Sequence, residues 1–125
     1  SDGRYEEAEE LFVQVMGTRK RVLGEEHSDT LLSMGNLAST YRNQGRSKEA
    51  EELEVQMMET SSRVLGEEHS DTLTSMNNLA FTLQCQARHK EALALMRRCF
   101  RLRQQVLGKQ HPDTQSSLDT LTSWR

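Results

Sequence analysis

The stretch Val22-Leu23-Gly24-Glu25-Glu26-His27-Ser28-Asp29-Thr30-Leu31 returns without change at Val64 to Leu73. It returns more loosely as Val106-Leu107-Gly108-Lys109-Gln110-His111-Pro112-Asp113-Thr114-Gln115, again 42 residues on. Sliding residues 3–44 onto 45–86 gives 29 identities in 42 positions, so the chain is a tandem repeat. A period of this length is the mark of a stacked helical array, in which each unit buries its apolar face against the next. The composition agrees with a thin apolar layer rather than a large spherical core. The 125 residues are 34% apolar and 5% aromatic, with 28% charged and a single proline.

Each period reads as two helices. Leu31, Met34, Leu37, Ala38 and Tyr41 lie on one face of a helix A over about 29–43. Its copy carries Leu73, Met76, Leu79, Ala80 and Leu83, and a third copy begins near Asp113 with Leu118 and Leu121. Gly45 supplies a left-handed residue at the A–B turn. Helix B then runs over about 47–64, with an expected inner stripe of Ala50, Leu53, Met57 and Val64. The matching stripes are Ala8, Leu11, Val15, Val22 and Ala92, Leu95, Cys99, Val106. Gly3 and Gly45 fall in A–B turns, and Gly24, Gly66 and Gly108 end B helices. Ala87 stands where the third A–B turn would have glycine, which predicts a strained turn. The expected organisation is one all-α array over 1–125. Helix B of a first repeat covers 3–24, full repeats cover 28–66 and 70–108, and helix A of an incomplete repeat covers 112–125. Neither end reads as a polar capping helix, so the chain is expected to be a fragment of a longer array, or its ends to pair between chains.

The alternation Met34-x-x-Leu37-Ala38-x-x-Tyr41, followed by Ala50 twelve residues after Ala38, resembles a tetratricopeptide repeat. Ala80 and Ala92 repeat the small-residue pair. The 42-residue period, in place of the family's usual 34, resembles the kinesin-light-chain type. Near-identical tandem copies resemble the arrays of fungal NOD-like receptors and kinesin-light-chain-like proteins. The resemblance implies a right-handed superhelical solenoid of antiparallel helix pairs and a non-catalytic protein–protein interaction scaffold. It further implies a concave groove lined by helices A, binding a peptide or protein. Residues beside the A-helix core stripes would face it: Asn36, Ser39, Arg42, Asn43, Asn77, Asn78, Phe81 and Gln84, with Leu32, Gly35, Thr74, Cys85, Ser116, Asp119, Thr120 and Ser123 alongside. Asn36 and Asn78 are periodic amides able to bond an extended backbone or a neighbouring helix. Phe81 is the one large apolar residue of its row and a candidate anchor. Arg42 alone supplies positive charge, which argues against a clamp for a C-terminal carboxylate. At the family's B-helix aromatic position stand Phe12, Glu54 and Met96, so packing there is expected to be uneven.

Other functions are disfavoured. His27, His69 and His111 sit in identical loops one full helix pair apart, too far to share a metal ion. They read as loop packing and helix caps, and neither a metal nor a cofactor is expected. The glutamates opening each helix B suit the positive end of the helix dipole. No phosphate loop or nucleophile motif occurs, so no enzyme activity is expected. A net charge of −3 argues against nucleic acid, and no apolar run is long enough to span a membrane. Two cysteines give no disulfide framework, and with no leader at Ser1–Tyr5 a cytoplasmic setting is expected. The rival to groove binding is a self-associating structural array without a separate ligand.

Overall fold

A computed structural model describes residues 7–16 and 28–125. Gly3, Val22, Gly24 and His27 lie outside the described residues. The described elements are helical: α1 over 7–16, α2 Ser28–Asn43, α3 Ser47–Val64, α4 Ser70–Cys85, α5 His89–Leu107 and α6 Pro112–Trp124. From α2 onward each helix packs chiefly against its neighbours in the chain, so the architecture is a one-dimensional stack. Helices α2, α4 and α6 are helices A; α1, α3 and α5 are helices B.

The A-helix stripes form the core. Leu31, Met34, Leu37 and Ala38 of α2 are buried, as are Leu73, Met76, Leu79, Ala80 and Leu83 of α4. Ala38, Ala80, Ala50 and Ala92 are all buried, the small side chains allowing A and B helices to approach closely. Tyr41 departs from the expected core. It is half-buried, and the Arg46 guanidinium lies 4.3 Å from its ring centre. Leu118 also departs, standing 37% exposed on α6.

The B-helix stripe is rotated from the expected one. In α5 the buried line is Ala92, Met96, Cys99 and Arg103; in α3 it includes Ala50, Glu54 and Ser61. Leu53 and Leu95 are half-buried, Leu11 is exposed, and Val64 and Val106 are exposed in the last turns of the B helices. In these helices of 18 and 19 residues the buried line ends at Ser61 and Arg103, short of the last turn. Two polar residues of the buried line, Glu54 and Arg103, have partners on neighbouring helices, whereas the Ser61 hydroxyl is buried without a hydrogen-bond partner among the described residues. Arg103 Nη1 donates to Ser117 Oγ at 2.8 Å and to the Asp113 carbonyl at 3.3 Å.

Helix ends are built as repeat units. His69 and His111 are N-caps whose Nδ1 atoms accept the Asp71 and Asp113 amides at 3.1 and 3.0 Å. Pro112 fills the first turn of α6, where no amide partner is needed. Each A–B turn closes with two bonds: Arg46 N–H to Tyr41 and Gly45 N–H to Arg42 in one copy, and Arg88 to Leu83 and Ala87 to Gln84 in the next. This pattern requires a positive φ at its penultimate residue. Gly45 has φ 80°, and Ala87 is held at φ 61°. Replacing Ala87 with glycine removes a left-handed alanine costing about 1 kcal/mol, less some gain in unfolded-chain entropy. Ala87→Gly is therefore expected to raise the thermal midpoint by about 2–4 °C, while Gly45→Ala lowers it comparably. Circular-dichroism melts test this pair, and a lower midpoint for Ala87→Gly would contradict it.

The same turns clamp successive B helices together. Arg46 pairs with Glu49 beside it and with Glu9 of α1. Arg88 pairs with Glu91 at 2.5 Å and with Glu51 of α3 at 2.6 Å. These charge-assisted bonds hold the Glu49, Glu51 and Glu91 carboxyls below the ordinary carboxylate range, first through the hydrogen bond from arginine.

Candidate interaction groove

The row expected to face a groove runs along α2 and α4. Asn36 and Asn43 are exposed; Ser39, Arg42, Asn77, Asn78 and Gln84 are half-buried; Phe81 is 38% exposed. Leu32, Thr74, Cys85, Ser116, Asp119 and Ser123 are exposed, and Thr120 is half-buried. Gly35 is not a groove residue. A Cβ there would stand 3.2 Å from Met57 Cε, so this face of α2 packs on α3.

Three of the groove candidates have partners within the molecule. Arg42 spans two helices: its Nη1 donates to the Asn78 carbonyl at 3.3 Å and Thr82 Oγ1 at 3.4 Å, and stands 3.7 Å from Glu54 Oε2. It fastens α2 to α3 and α4 rather than offering a free cation. Phe81 meets Trp124 of α6 edge-on, with ring centres 5.2 Å apart at 80°. Gln84 Oε1 lies 2.8 Å from His89 Nδ1. Asn36 and Asn78 differ from these. Their backbone carbonyls are used, by Thr40 and Arg42 respectively, while no hydrogen bond among the described residues ties either side-chain amide to a neighbouring helix.

Two residues behind this row carry chemistry that the periodic stripes did not indicate. Glu54 is 3% exposed, and Thr82, fully buried, donates to its Oε1 at 2.5 Å. Burial pushes the Glu54 carboxyl up to about 7, against the opposing pull of the Thr82 hydrogen bond and the Arg42 charge; nearby Glu51 adds to the rise. The signal lay in the register. Positions 12, 54 and 96 read Phe, Glu, Met, and positions 40, 82 and 124 read Thr, Thr, Trp. Both series change character between the same two copies.

The remaining candidates for chemistry have structural roles. Cys99 is buried and donates to the Leu73 carbonyl at 3.4 Å; burial pushes its thiol up, away from the reactive thiolate. Cys85 is exposed and free. Among the described residues, no group of three or more His, Cys, Asp or Glu side chains is gathered as a metal would require. No described helix is long and apolar enough to cross a membrane.

Two family models described as tetratricopeptide repeat match, over residues 1–60 and 72–113. Among solved structures, the chain is similar to the nearly identical TPR-like repeats of a Podosopora anserina protein assigned as a kinesin light chain. Identity is 30%, over 98% of this chain and 58% of that one, with a TM-score of 0.89. A point-substituted form of that protein gives 29% identity over the same shares, at TM-score 0.88. BtubC (BKLC) from P. vanneervenii shares the fold at TM-score 0.87 with 22% identity, over 98% of this chain and 49% of that one. The chain thus spans between about half and three-fifths of the solved chains it matches. No curated protein matches it. Tetratricopeptide repeats generally mediate protein–protein interaction, and their arrays are typically non-catalytic scaffolds. With the 42-residue period, the helix pairs and both family models in agreement, the chain belongs to the tetratricopeptide-repeat family, as an array of the kinesin-light-chain type.

Proposed function

We propose that this chain is a non-catalytic scaffold that binds a peptide or a protein segment along helices α2, α4 and α6. The observation that carries this reading is the row Asn36, Asn78 and Phe81. Asn78 stands one helical turn from an aromatic ring that is 38% exposed yet held edge-on by Trp124, and Asn36 repeats the amide one period earlier. A pre-oriented ring presents apolar area at little entropic cost, and amides supply donors and acceptors to an extended backbone. Arg42 is engaged with Glu54 and Thr82, so recognition rests on amides and the ring rather than on carboxylate capture. The free thiols Cys85 and Cys99 favour a reducing, cytoplasmic setting.

The test is selection of binders from a random peptide library, followed by titration against variants. Phe81→Ala is expected to weaken a selected groove peptide by about 2 kcal/mol, some 30-fold. Loss of the Trp124 contact should cost only about 1 kcal/mol of stability. Unchanged affinity in both Phe81→Ala and the Asn36→Ala/Asn78→Ala variant would refute groove binding.

A further inference from the structure

The junction of α1, α2 and α3 keeps open a seat that the next junction fills. The pocket holds about 380 Å³ over an apolar floor of Val13, Met16, Leu37 and Leu53, with Tyr41, Glu49, Glu52 and Gln56 around it. One period on, Val13, Met16, Leu37, Tyr41 and Leu53 become Val55, Met58, Leu79, Leu83 and Leu95. There Leu79 and Leu83 cluster with Ala92, and Val55, Met58, Leu95 and Trp124 pack against them. Both junctions have their four helices, α1 to α4 in the open one and α3 to α6 in the closed one. The opening is therefore a matter of side chains.

Two exchanges leave the space. Leu83, 6% exposed, is part of the closed cluster, whereas Tyr41 in its place is half-buried against the Arg46 guanidinium and forms a wall. The counterpart of Trp124 is Thr82, a smaller side chain whose hydroxyl is bonded to Glu54. Two more exchanges set the charge. Glu52 and Gln56 become Ala94 and Arg98 in the closed junction. Glu52 is exposed and has no ion pair among the described residues. Beside it, Glu49 and Glu9 share one cation, Arg46. Lys48, the nearest other cation on α3, does not line the pocket. The rim thus holds more carboxylates than cations, above a floor of aliphatic side chains. None of Asn36, Asn78 and Phe81 lines it, so it is separate from the A-helix row.

We propose that this pocket takes a cationic side chain of a partner protein, lysine or arginine, with its aliphatic stem on Leu37 and Leu53 and its charge beside Glu49 and Glu52. Such side chains bury their stems along apolar surface while the charged head stays in water, which is the division this pocket offers. The volume is that of a small-ligand site. The pocket adds a second contact point to the scaffold and does not depend on the groove row.

The test is a heteronuclear NMR titration of the 125-residue chain at low salt with n-hexylammonium, which carries such a stem and head. n-Hexanoate and ethylammonium, at the same ionic strength, change the charge and the stem in turn. Hexylammonium is expected to bind with roughly millimolar affinity and to shift the amides of Val13, Leu37, Leu53 and Gln56. Hexanoate should bind there at least about tenfold more weakly through like-charge repulsion, and ethylammonium likewise for want of apolar contact. Glu52→Ala/Gln56→Arg copies the closed junction's rim at two exposed positions, with far-UV circular dichroism confirming the fold. That variant should lose about tenfold in hexylammonium affinity. An absence of shifts at the four amides would overturn the proposal. So would equal binding of hexanoate, which would make the pocket merely apolar, or of ethylammonium, which would leave only surface ion pairing. A variant that binds as tightly as the parent would overturn the role of the rim. Shifts centred on Asn78 and Phe81 instead would give the cation to the groove row, overturning this pocket while leaving the groove reading intact.

Discussion

The array is expected to lose stability as the pH rises from about 5 to about 8, and Glu54→Gln is expected to remove most of that loss. Glu54 is 3% exposed, and its neighbours are Arg42 from α2, Thr82 from α4 and Glu51 one turn away on its own helix. Burial raises its pKa from 4.5 to about 7. The folded state therefore holds a proton that the unfolded chain releases at lower pH. That contribution is complete below the unfolded value and is lost as pH rises through the folded one, at most about 3 kcal/mol. Glu49, Glu51 and Glu91 act in the opposite sense and in a different window. Their lowered pKa values stabilise above the ordinary carboxylate range and are lost only in acid. Glutamine keeps an acceptor for Thr82 but cannot titrate. Urea unfolding at three pH values, wild type against Glu54→Gln, isolates the one carboxyl. The expected result is a midpoint that falls with pH in the wild type and stays nearly level in the variant. Parallel curves would show that Glu54 is hydrated and that the junction is not closed to water.

Most of the fold is legible in the sequence because the repeat supplies its own controls. Three copies of Val-Leu-Gly fix the phase, the A-helix stripes fall on buried positions except at Tyr41 and Leu118, and Ala87 stands out because Gly45 sits one period before it. The B helices are harder to read for a physical reason. Their buried line carries Glu54, Ser61 and Arg103, which hydropathy assigns to solvent. Glu54 and Arg103 are held inside by partners on other helices, 28 residues away for Glu54 and Thr82 and 14 for Arg103 and Ser117. A stripe drawn along one helix cannot show a bond made between three. The groove row is legible to the same extent. Its positions follow from helical phase, but the engagement of Arg42 by Glu54, and of Phe81 by Trp124, depends on where neighbouring copies differ.

Those differences sharpen into the reverse experiment, Met96→Glu, which is expected to destabilise the array by about 3–5 kcal/mol at neutral pH. Met96 is the counterpart of Glu54 one period on, and it is fully buried in a cluster with Leu73, Met76, Ala80, Cys99 and Leu121. The positions that serve Glu54 as Arg42 and Thr82 are there Gln84 and Trp124. A carboxylate at 96 would meet neither a cation nor a hydroxyl, and Trp124 packs against that cluster. Against a total stability of about 5–15 kcal/mol for a domain of this size, the loss should be visible as partial unfolding near room temperature. Acidification should restore part of it by protonating the new carboxyl. Adding Gln84→Arg and Trp124→Thr in the same chain should also recover part, since together they rebuild the partners Glu54 has. The cycle of single and combined variants reads that coupling directly, with about 1–2 kcal/mol expected. Trp124→Thr also removes the edge-on contact with Phe81, so the rebuilt junction should not regain full stability. Glu54→Met, by contrast, should leave the array as stable or more stable at about pH 8, because it removes a buried carboxylate while Arg42, only partly covered, still reaches water. Equal costs in the two directions would mean that the partners do not matter. Unequal costs, with Met96→Glu the larger, would show that each junction has committed its three positions as a set, so that single-residue exchange between near-identical copies is not neutral.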